Sequence, residues 1–366
     1  MIVVMRINIG PIHPSTHGAL KLVAYVDGDT IQKIETHIGF LHRGVEKLME
    51  NRIYMQNAAY AEKLDYLAPL SWDDLYVSAV EQATGTQVKE KAQYLRVILL
   101  EFQRMASHLL WLGMFCNDIG QSLTMFMWAS RERAKIIKLL EDVSGNRMFY
   151  MNLRLGGFSR NMPRDFTERA YDLIGYLEQK LAEYPEVLDS NPIFMERTKG
   201  VGVLSRKDAI DCGVSGPVLR GSGVSADVRK SKPYYVYDKF KFIAPIRNTG
   251  DAYSRYRVRF EEMHQSLGII KQALDTMPQE GDALGSKIKL RSNDANPAPI
   301  TVSRELPRGE GMIYMVPGKQ GPYRISLRSP VFTNLYALSR MCEGAKFADL
   351  FSILGSLDIV LGEVDR

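Results

Sequence analysis

Between Gln93 and Trp128 apolar side chains recur at Leu95, Ile98, Leu99, Phe102, Met105, Ala106, Leu109 and Leu110, the three-and-four spacing that lines one face of an α-helix. At about 1.5 Å of rise per residue such a helix is roughly 50 Å long, so it needs other helices to cover its apolar face. The sequence offers them. Helical patterns run from Val45 to Asn51, in broken form over 53–83, from Arg131 to Val143, over 167–184 and over 251–277, the last opening with Arg255, Arg257 and Arg259. Gly113 and Gly120 are where the long helix is expected to bend.

Strand patterns lie at the two ends. Residues 2–9 and 20–26 read as strands, and Asp27-Gly28 supplies the turn into a third, Thr30–Ile38. Near the other end Lys287–Arg291, Ile300–Glu305, Gly311–Val316 and Tyr323–Ser329 read as a β meander, followed by a helix from Val331 to Met341. Apolar residues persist through Leu357–Arg366, so this tail is expected to be buried. The whole reads as α+β in three parts: an N-terminal hairpin domain over 1–52, a helical bundle over 53–190, and a loop-rich α+β region over 191–366 that packs back on the bundle. The glycine-rich run Gly216-Pro217-Val218-Leu219-Arg220-Gly221-Ser222-Gly223 follows no strand and lacks the lysine of a nucleotide loop, so its glycines are read as allowing close backbone packing.

Bulk properties exclude several classes. A balance of 47 basic against 42 acidic residues is too mild and dispersed for a nucleic-acid binder. The richest apolar run, Leu109–Cys116, falls far short of the roughly 20 residues that span a bilayer. The start, Met1-Ile2-Val3-Val4-Met5-Arg6, has no signal-peptide pattern, which favours the cytoplasmic side of a membrane over export. The three cysteines, Cys116, Cys212 and Cys342, form no CxxC pair and offer no thiolate metal site by themselves. The 17 methionines read mostly as adaptable core filler.

Chemistry concentrates first at Gly10-Pro11-Ile12-His13-Pro14-Ser15-Thr16-His17-Gly18. On a helix, His13 and His17 would share a face and could clamp a metal, but the prolines and glycines forbid that helix. They sit instead on a tight loop between strands, either exposed or aimed at a target. Asp118 falls in the most apolar part of the long helix; it faces solvent, or it is buried against a partner such as an imidazole. Arg43 stands beside a helix N-terminus, an unfavourable place for a cation without an anion nearby, unless it is simply exposed.

Five stretches together resemble one family: GPIHPSTHG at 10–18, HIGFLHRGVEKLME at 37–50, EKLDYL at 62–67, GPVLRGSG at 216–223 and LGSLDIVLGEVDR at 354–366. They are similar to the 49-kDa subunit of respiratory complex I and its bacterial and archaeal counterparts, which in turn resemble the large subunit of nickel–iron hydrogenases. The resemblance implies that hydrogenase-like fold. It also implies that the metal site is lost, because the four ligand cysteines match Asp65, Ala68, Val360 and Glu363 here. The vacated space would admit a quinone headgroup, with menaquinone, ubiquinone and methanophenazine as the acceptors to consider. Tyr66 and His17 match the donors to its two carbonyls, and Asp118 matches the carboxylate that pairs with the histidine. His13 would shape the loop. Arg43 matches an arginine near a 4Fe-4S cluster held by a neighbouring subunit. Phe149 stands where many members carry a titrating histidine, so this cluster is expected to be less proton-linked and the acceptor to be of low potential.

The implied role is the quinone site of a proton-pumping, membrane-associated oxidoreductase, peripheral on the cytoplasmic side. The implied partners are a cluster-bearing 20-kDa B-type subunit, a 30-kDa C-type subunit, a ferredoxin-like I-type subunit and a membrane H-type subunit. NADH, reduced ferredoxin and a reduced deazaflavin all stand open as electron donor. A true hydrogenase large subunit is disfavoured by the missing cysteines, and an inert scaffold by the matched donor set.

Overall fold

A computed structural model describes residues 4–120, 123–285 and 298–366. It is α+β: long helices form the centre and small antiparallel sheets flank them. The N-terminal sheet has strands β1 (Met5–Ile9), β2 (Lys21–Asp27) and β3 (Thr30–His37) in that order, with Val23 opposite both Asn8 and Glu35. Gly28, at φ 63°, makes the β2–β3 turn. Helices α1 (Val45–Glu50) and α2 (Tyr54–Ala61) follow, then α3 (Pro69–Thr84), α4 (Glu90–Asp118), α5 (Leu123–Ser144), α6 (Phe166–Leu188) and α7 (Ala252–Thr276). The second sheet is a meander of β4 (Ile300–Leu306), β5 (Gly309–Pro317) and β6 (Pro322–Arg328). The expected strand Lys287–Arg291 lies outside the described residues.

The single helix expected over Gln93–Trp128 is two helices. The chain leaves α4 at Asp118, passes through Gly120 at φ 79° and re-enters helix at Leu123, so the helix expected to start at Arg131 begins eight residues earlier. Gly120 is the helix stop rather than a bend, its left-handed backbone being open to glycine at little cost. Gly113 is not a bend either. A Cβ there would stand 3.1 Å from the Cα of Phe126 and 3.3 Å from the Cβ of Ala129, so the glycine lets α5 cross α4 closely. Two smaller departures follow the same local logic. Gly216–Gly221 forms a helical turn started by Pro217, and the helix expected over Val331–Met341 is two short ones, Pro330–Tyr336 and Leu338–Cys342.

Two apolar cores result. One joins α2–α7 to the β4–β6 meander. The other joins the inner face of the N-terminal sheet (Ile9, Leu22, Ala24, Ile34) to Val331, Leu338, Ile353, Leu354 and Leu357 near the other end of the sequence. Residues 357–365 are buried, so the two ends of the chain meet in one core.

Helix α4 is buried on its polar face as well as its apolar one, because that face is paired off. Arg96 forks onto Glu81 at 2.6 and 2.9 Å, Arg104 grips Glu101 and the carbonyls of Glu305 and Leu306, and His108 meets Glu262 at 2.9 Å. Glu262 also takes Arg220, whose guanidinium reaches Glu305. Buried charges persist only when partnered in this way.

Candidate functional site

The histidine loop is a two-residue ladder closed by a single 3-10 turn. Ile12 and His13 pair with Ala19 and Gly18, and Pro14–Thr16 form the turn. Gly10, at φ 81°, permits the approach; a Cβ there would lie 2.1 Å from the carbonyl oxygen of Leu20. The buried Thr16 hydroxyl sits 2.8 Å from the carbonyls of both His13 and Gly18 and ties the turn. His13 serves the loop: its Nδ1 accepts the Ser15 N–H at 3.2 Å and its ring stacks on Phe351 at 5.0 Å. Ile12 at the tip is 93% exposed.

His17 ends that turn in left-handed backbone, φ 52°, and swings inward. Its Nε2 lies 2.7 Å from Asp118 Oδ2, with side chains 14% and 5% exposed, although the angle is poor for a hydrogen bond. The last residue of α4 therefore is the buried partner of an imidazole, joined across 101 residues of sequence. Burial opposes the charged imidazolium, but the contact with Asp118 and the fields of Asp118 and Asp358 outweigh it, and the His17 pKa is raised.

Tyr66 lies on the turn between α2 and α3. Asp65 shapes that turn, its Oδ1 accepting the N–H groups of Leu67 at 3.0 Å and Ala68 at 3.1 Å. The phenol is half-buried and its pKa is raised, by burial first; Arg308 opposes and Asp65 and Asp358 add to the rise. Among the described residues no hydrogen bond holds its hydroxyl. Tyr66 shares a cavity of ≈ 260 Å³ with Phe40, Leu41, His42, Arg43, Lys63 and Gly362. Arg43 is exposed there, with Nη2 3.1 Å from the carbonyl of Lys63. Arg43 and Tyr66, 23 residues apart, thus face one space. Phe149 lies elsewhere, half-buried between exposed Met148 and buried Tyr150, and no hydrogen bond, ion pair or ring contact among the described residues joins it to Tyr66 or His17.

Sequence reasoning missed what stands behind the cavity. Arg308, fully buried on the β4–β5 turn, pairs through Nη1 with Asp65, through Nη2 with Asp358 Oδ1 at 3.2 Å, and donates from Nε to the Asp358 carbonyl at 3.0 Å. Glu363 accepts the Trp72 indole N–H at 2.6 Å. Burial, then the Asp65 charge, push its carboxyl up to about 8. Asp358 adopts left-handed backbone at φ 58°, and its charge bears on both His17 and Tyr66. Two of the four positions that the resemblance matches to ligand cysteines, Asp65 and Glu363, are carboxyls; the Arg308 guanidinium pairs with the first and its charge bears on the second. Among the described residues no group of three or more His, Cys, Asp or Glu side chains is arranged to hold a metal ion. Asp358 and Glu363 were visible inside LGSLDIVLGEVDR; Arg308, isolated in a turn, carried no signal.

The other wall of the cavity is clamped from the tail. Asp365 takes the N–H groups of Gly39 and Leu41, each at 2.8 Å, and its carbonyl accepts from His42 Nδ1 at 2.7 Å.

A model of the 49-kDa subunit of respiratory-chain NADH dehydrogenase matches residues 118–299 and 287–366. Similar proteins include the D subunit of NADH-quinone oxidoreductase from Dehalococcoides mccartyi, 46% identical over 98% of both chains. The D subunits from Geotalea uraniireducens, at 43% over 99% of both chains, and from Koribacter versatilis, at 40% over 99% of this chain and 96% of its own, are similar as well.

Proposed function

The chain belongs to the family of the 49-kDa subunit of respiratory-chain NADH dehydrogenase, and from that premise we propose that it supplies the quinone-reducing site of a membrane-associated, proton-pumping complex. In this reading electrons come from a 4Fe-4S cluster in a B-type subunit, with C-type, I-type and membrane H-type subunits completing the assembly on the cytoplasmic side. The observation that carries it is the His17–Asp118 pair, set in the same charge field of Asp358 as Tyr66.

Reducing a quinone to a quinol takes two electrons and two protons, so each ring oxygen gains charge that a positioned donor can meet. Tyr66, whose hydroxyl has no competing partner among the described residues and whose raised pKa keeps it protonated, suits one oxygen. His17 suits the other. Its Nε2 faces the Asp118 carboxylate at 2.7 Å, so Nδ1 is the nitrogen left to serve the substrate. Asp118 holds the ring and favours its cationic, proton-bearing form. Arg43 beside Tyr66 gives the cavity a fixed positive charge toward the cluster-bearing subunit. Phe149 cannot titrate, which supports a weakly proton-linked cluster and a low-potential acceptor such as menaquinone or methanophenazine rather than ubiquinone.

The test is turnover of quinone analogues by the purified membrane complex, wild type against Tyr66→Phe. Loss of turnover with intact assembly is expected, and the ranking of acceptors names the quinone class. Unchanged turnover would make this chain a scaffold around an unused cavity. A cluster midpoint potential that shifts strongly with pH would overturn the low-potential assignment alone.

A further inference from the structure

On α5 one cation stands without an anion. Arg133 is half-buried, its Nε is closed off from solvent, and its guanidinium makes no hydrogen bond or ion pair among the described residues. Arg96, Arg104, Arg220 and Arg308, by contrast, all hold carboxylates. Burial lowers the Arg133 pKa, and the group that opposes this is the Tyr150 phenol, itself pushed up to about 12 and so uncharged near neutral pH. A guanidinium keeps its charge at any ordinary pH. A charge withdrawn from water needs a partner, and the described residues supply none.

Arg133 lines a cavity of ≈ 430 Å³ between α5 and the segment that follows it, with Ser130, Ala134 and Ile137 on one side and Met148 on the other. The other charges there are spent on one another. Glu141 takes both Lys138 and Arg147 at 3.2 Å, and Lys138 also reaches Asp142 at 2.9 Å. The neighbouring cations are occupied too: Arg131 holds Glu132 at 2.6 Å, and Lys135 stands 4.5 Å from the centre of the Tyr176 ring. An anionic lipid surface draws on several free cations at once and finds one here. Apolar surface surrounds that one. Met148 is 50% exposed, and Met127, three residues before Ser130 on the same face of α5, is 63% exposed. A free inorganic anion would meet the charge and leave the apolar wall in water.

We propose that this face of α5 is an interface with a neighbouring subunit, whose segment places a carboxylate on Arg133 and apolar side chains over Met127, Ala134, Ile137 and Met148. A carboxylate fits the guanidinium fork, and the apolar cover keeps water from competing for it. The proposal rests on the multi-subunit part of the reading above and not on its quinone chemistry, which turnover of Tyr66→Phe tests separately. None of its groups lines the Tyr66 cavity.

Two measurements test it. In the first, Met127 and Met148 are oxidised with dilute peroxide in the isolated full-length chain and in the purified membrane complex, and the rates are read by mass spectrometry. Both should react several-fold more slowly in the complex. In the second, the complex carrying Arg133→Lys is treated with a zero-length carbodiimide, which couples an amine only to a carboxyl in contact with it. A cross-linked peptide should join position 133 to a carboxyl of another subunit and identify the occupant. Equal oxidation in the two states, no cross-link from position 133, or a cross-link only to Glu141 or another carboxyl of the same chain would each overturn the assignment. The oxidation rates of the wild type decide even where the variant fails to assemble.

Discussion

Replacing Arg308 by Met asks how much the guanidinium behind the cavity contributes. It touches two carboxyls and a carbonyl, all buried. Removing one partner of a buried ion pair costs about 3–5 kcal/mol, because the charge left behind has neither water nor counter-ion. The structure places this case at the lower end. Asp65 keeps two backbone N–H donors after the loss, whereas Asp358 already has one oxygen unpartnered among the described residues and loses its counter-charge. The expected cost is therefore about 3 kcal/mol near neutral pH, since the methionine also recovers some apolar contact. It shrinks as pH falls, because acid supplies the missing proton. At roughly 2 °C or less per kcal/mol for a chain of this size, the melting temperature should drop by about 5 °C. Thermal unfolding of the purified full-length chain over a range of pH reads this directly. The double variant Arg308→Met with Asp358→Asn should recover part of the loss, and Arg308→Lys should not, since one ammonium cannot span both carboxyls. A loss under about 1 kcal/mol, or a double variant as poor as the summed singles, would refute the view that Arg308 is the counter-charge of this site.

Asp118→Asn should lower the His17 pKa below its usual value, since the burial penalty stays and the carboxylate goes; NMR titration of the imidazole reads the change. The sign for stability follows: a raised His17 pKa contributes stability that is full below the unfolded pKa and lost as pH rises through the folded one, and the variant should lack that slope. Glu363 has the opposite sense for a carboxyl. Raised to about 8, it is protonated when folded and ionised when unfolded, so stability falls as pH rises from the ordinary glutamate range to about 8, and Glu363→Gln should flatten that fall in a thermal-shift series. Gly113→Ala should destabilise despite a helix-propensity gain of up to about 1 kcal/mol, because overpacking against the α5 backbone costs about 1–3 kcal/mol. Gly175→Ala on α6, with no atom within 4 Å of the added Cβ, should instead gain up to about 1 kcal/mol, and equal effects at the two sites would count against the close α4–α5 crossing.

What the sequence showed was the part of the fold written in local periodicity. The β1–β3 hairpins, α6 and α7 follow directly from alternation, helical spacing and Asp27-Gly28. The break at Gly120 was hidden because apolar residues continue on both sides of it, so the rhythm alone joined two helices. The pairing of the polar face of α4 was not visible, since nothing in Arg96, Arg104 or His108 announces that Glu81, Glu101 with the Glu305 carbonyl, and Glu262 will meet them. His17 and Tyr66 stand in long motifs and Asp118 in the apolar stretch of α4, and the expected contact between Asp118 and an imidazole is present at His17. Arg308, Asp358 and the Asp365 clamp came only from three-dimensional proximity.

The joints of the candidate site span very long stretches of chain: 101 residues from His17 to Asp118, 243 from Asp65 to Arg308 and 326 from Gly39 to Asp365. Closing loops of that size is slow and entropically opposed until the surrounding cores exist to reward it. The cavity should thus be among the last features to form, after the helices and both sheets have settled. A chain that can seat a ligand between Arg43 and Tyr66 has by then completed its folding, and ligand binding becomes a probe of native topology that helix content alone cannot provide.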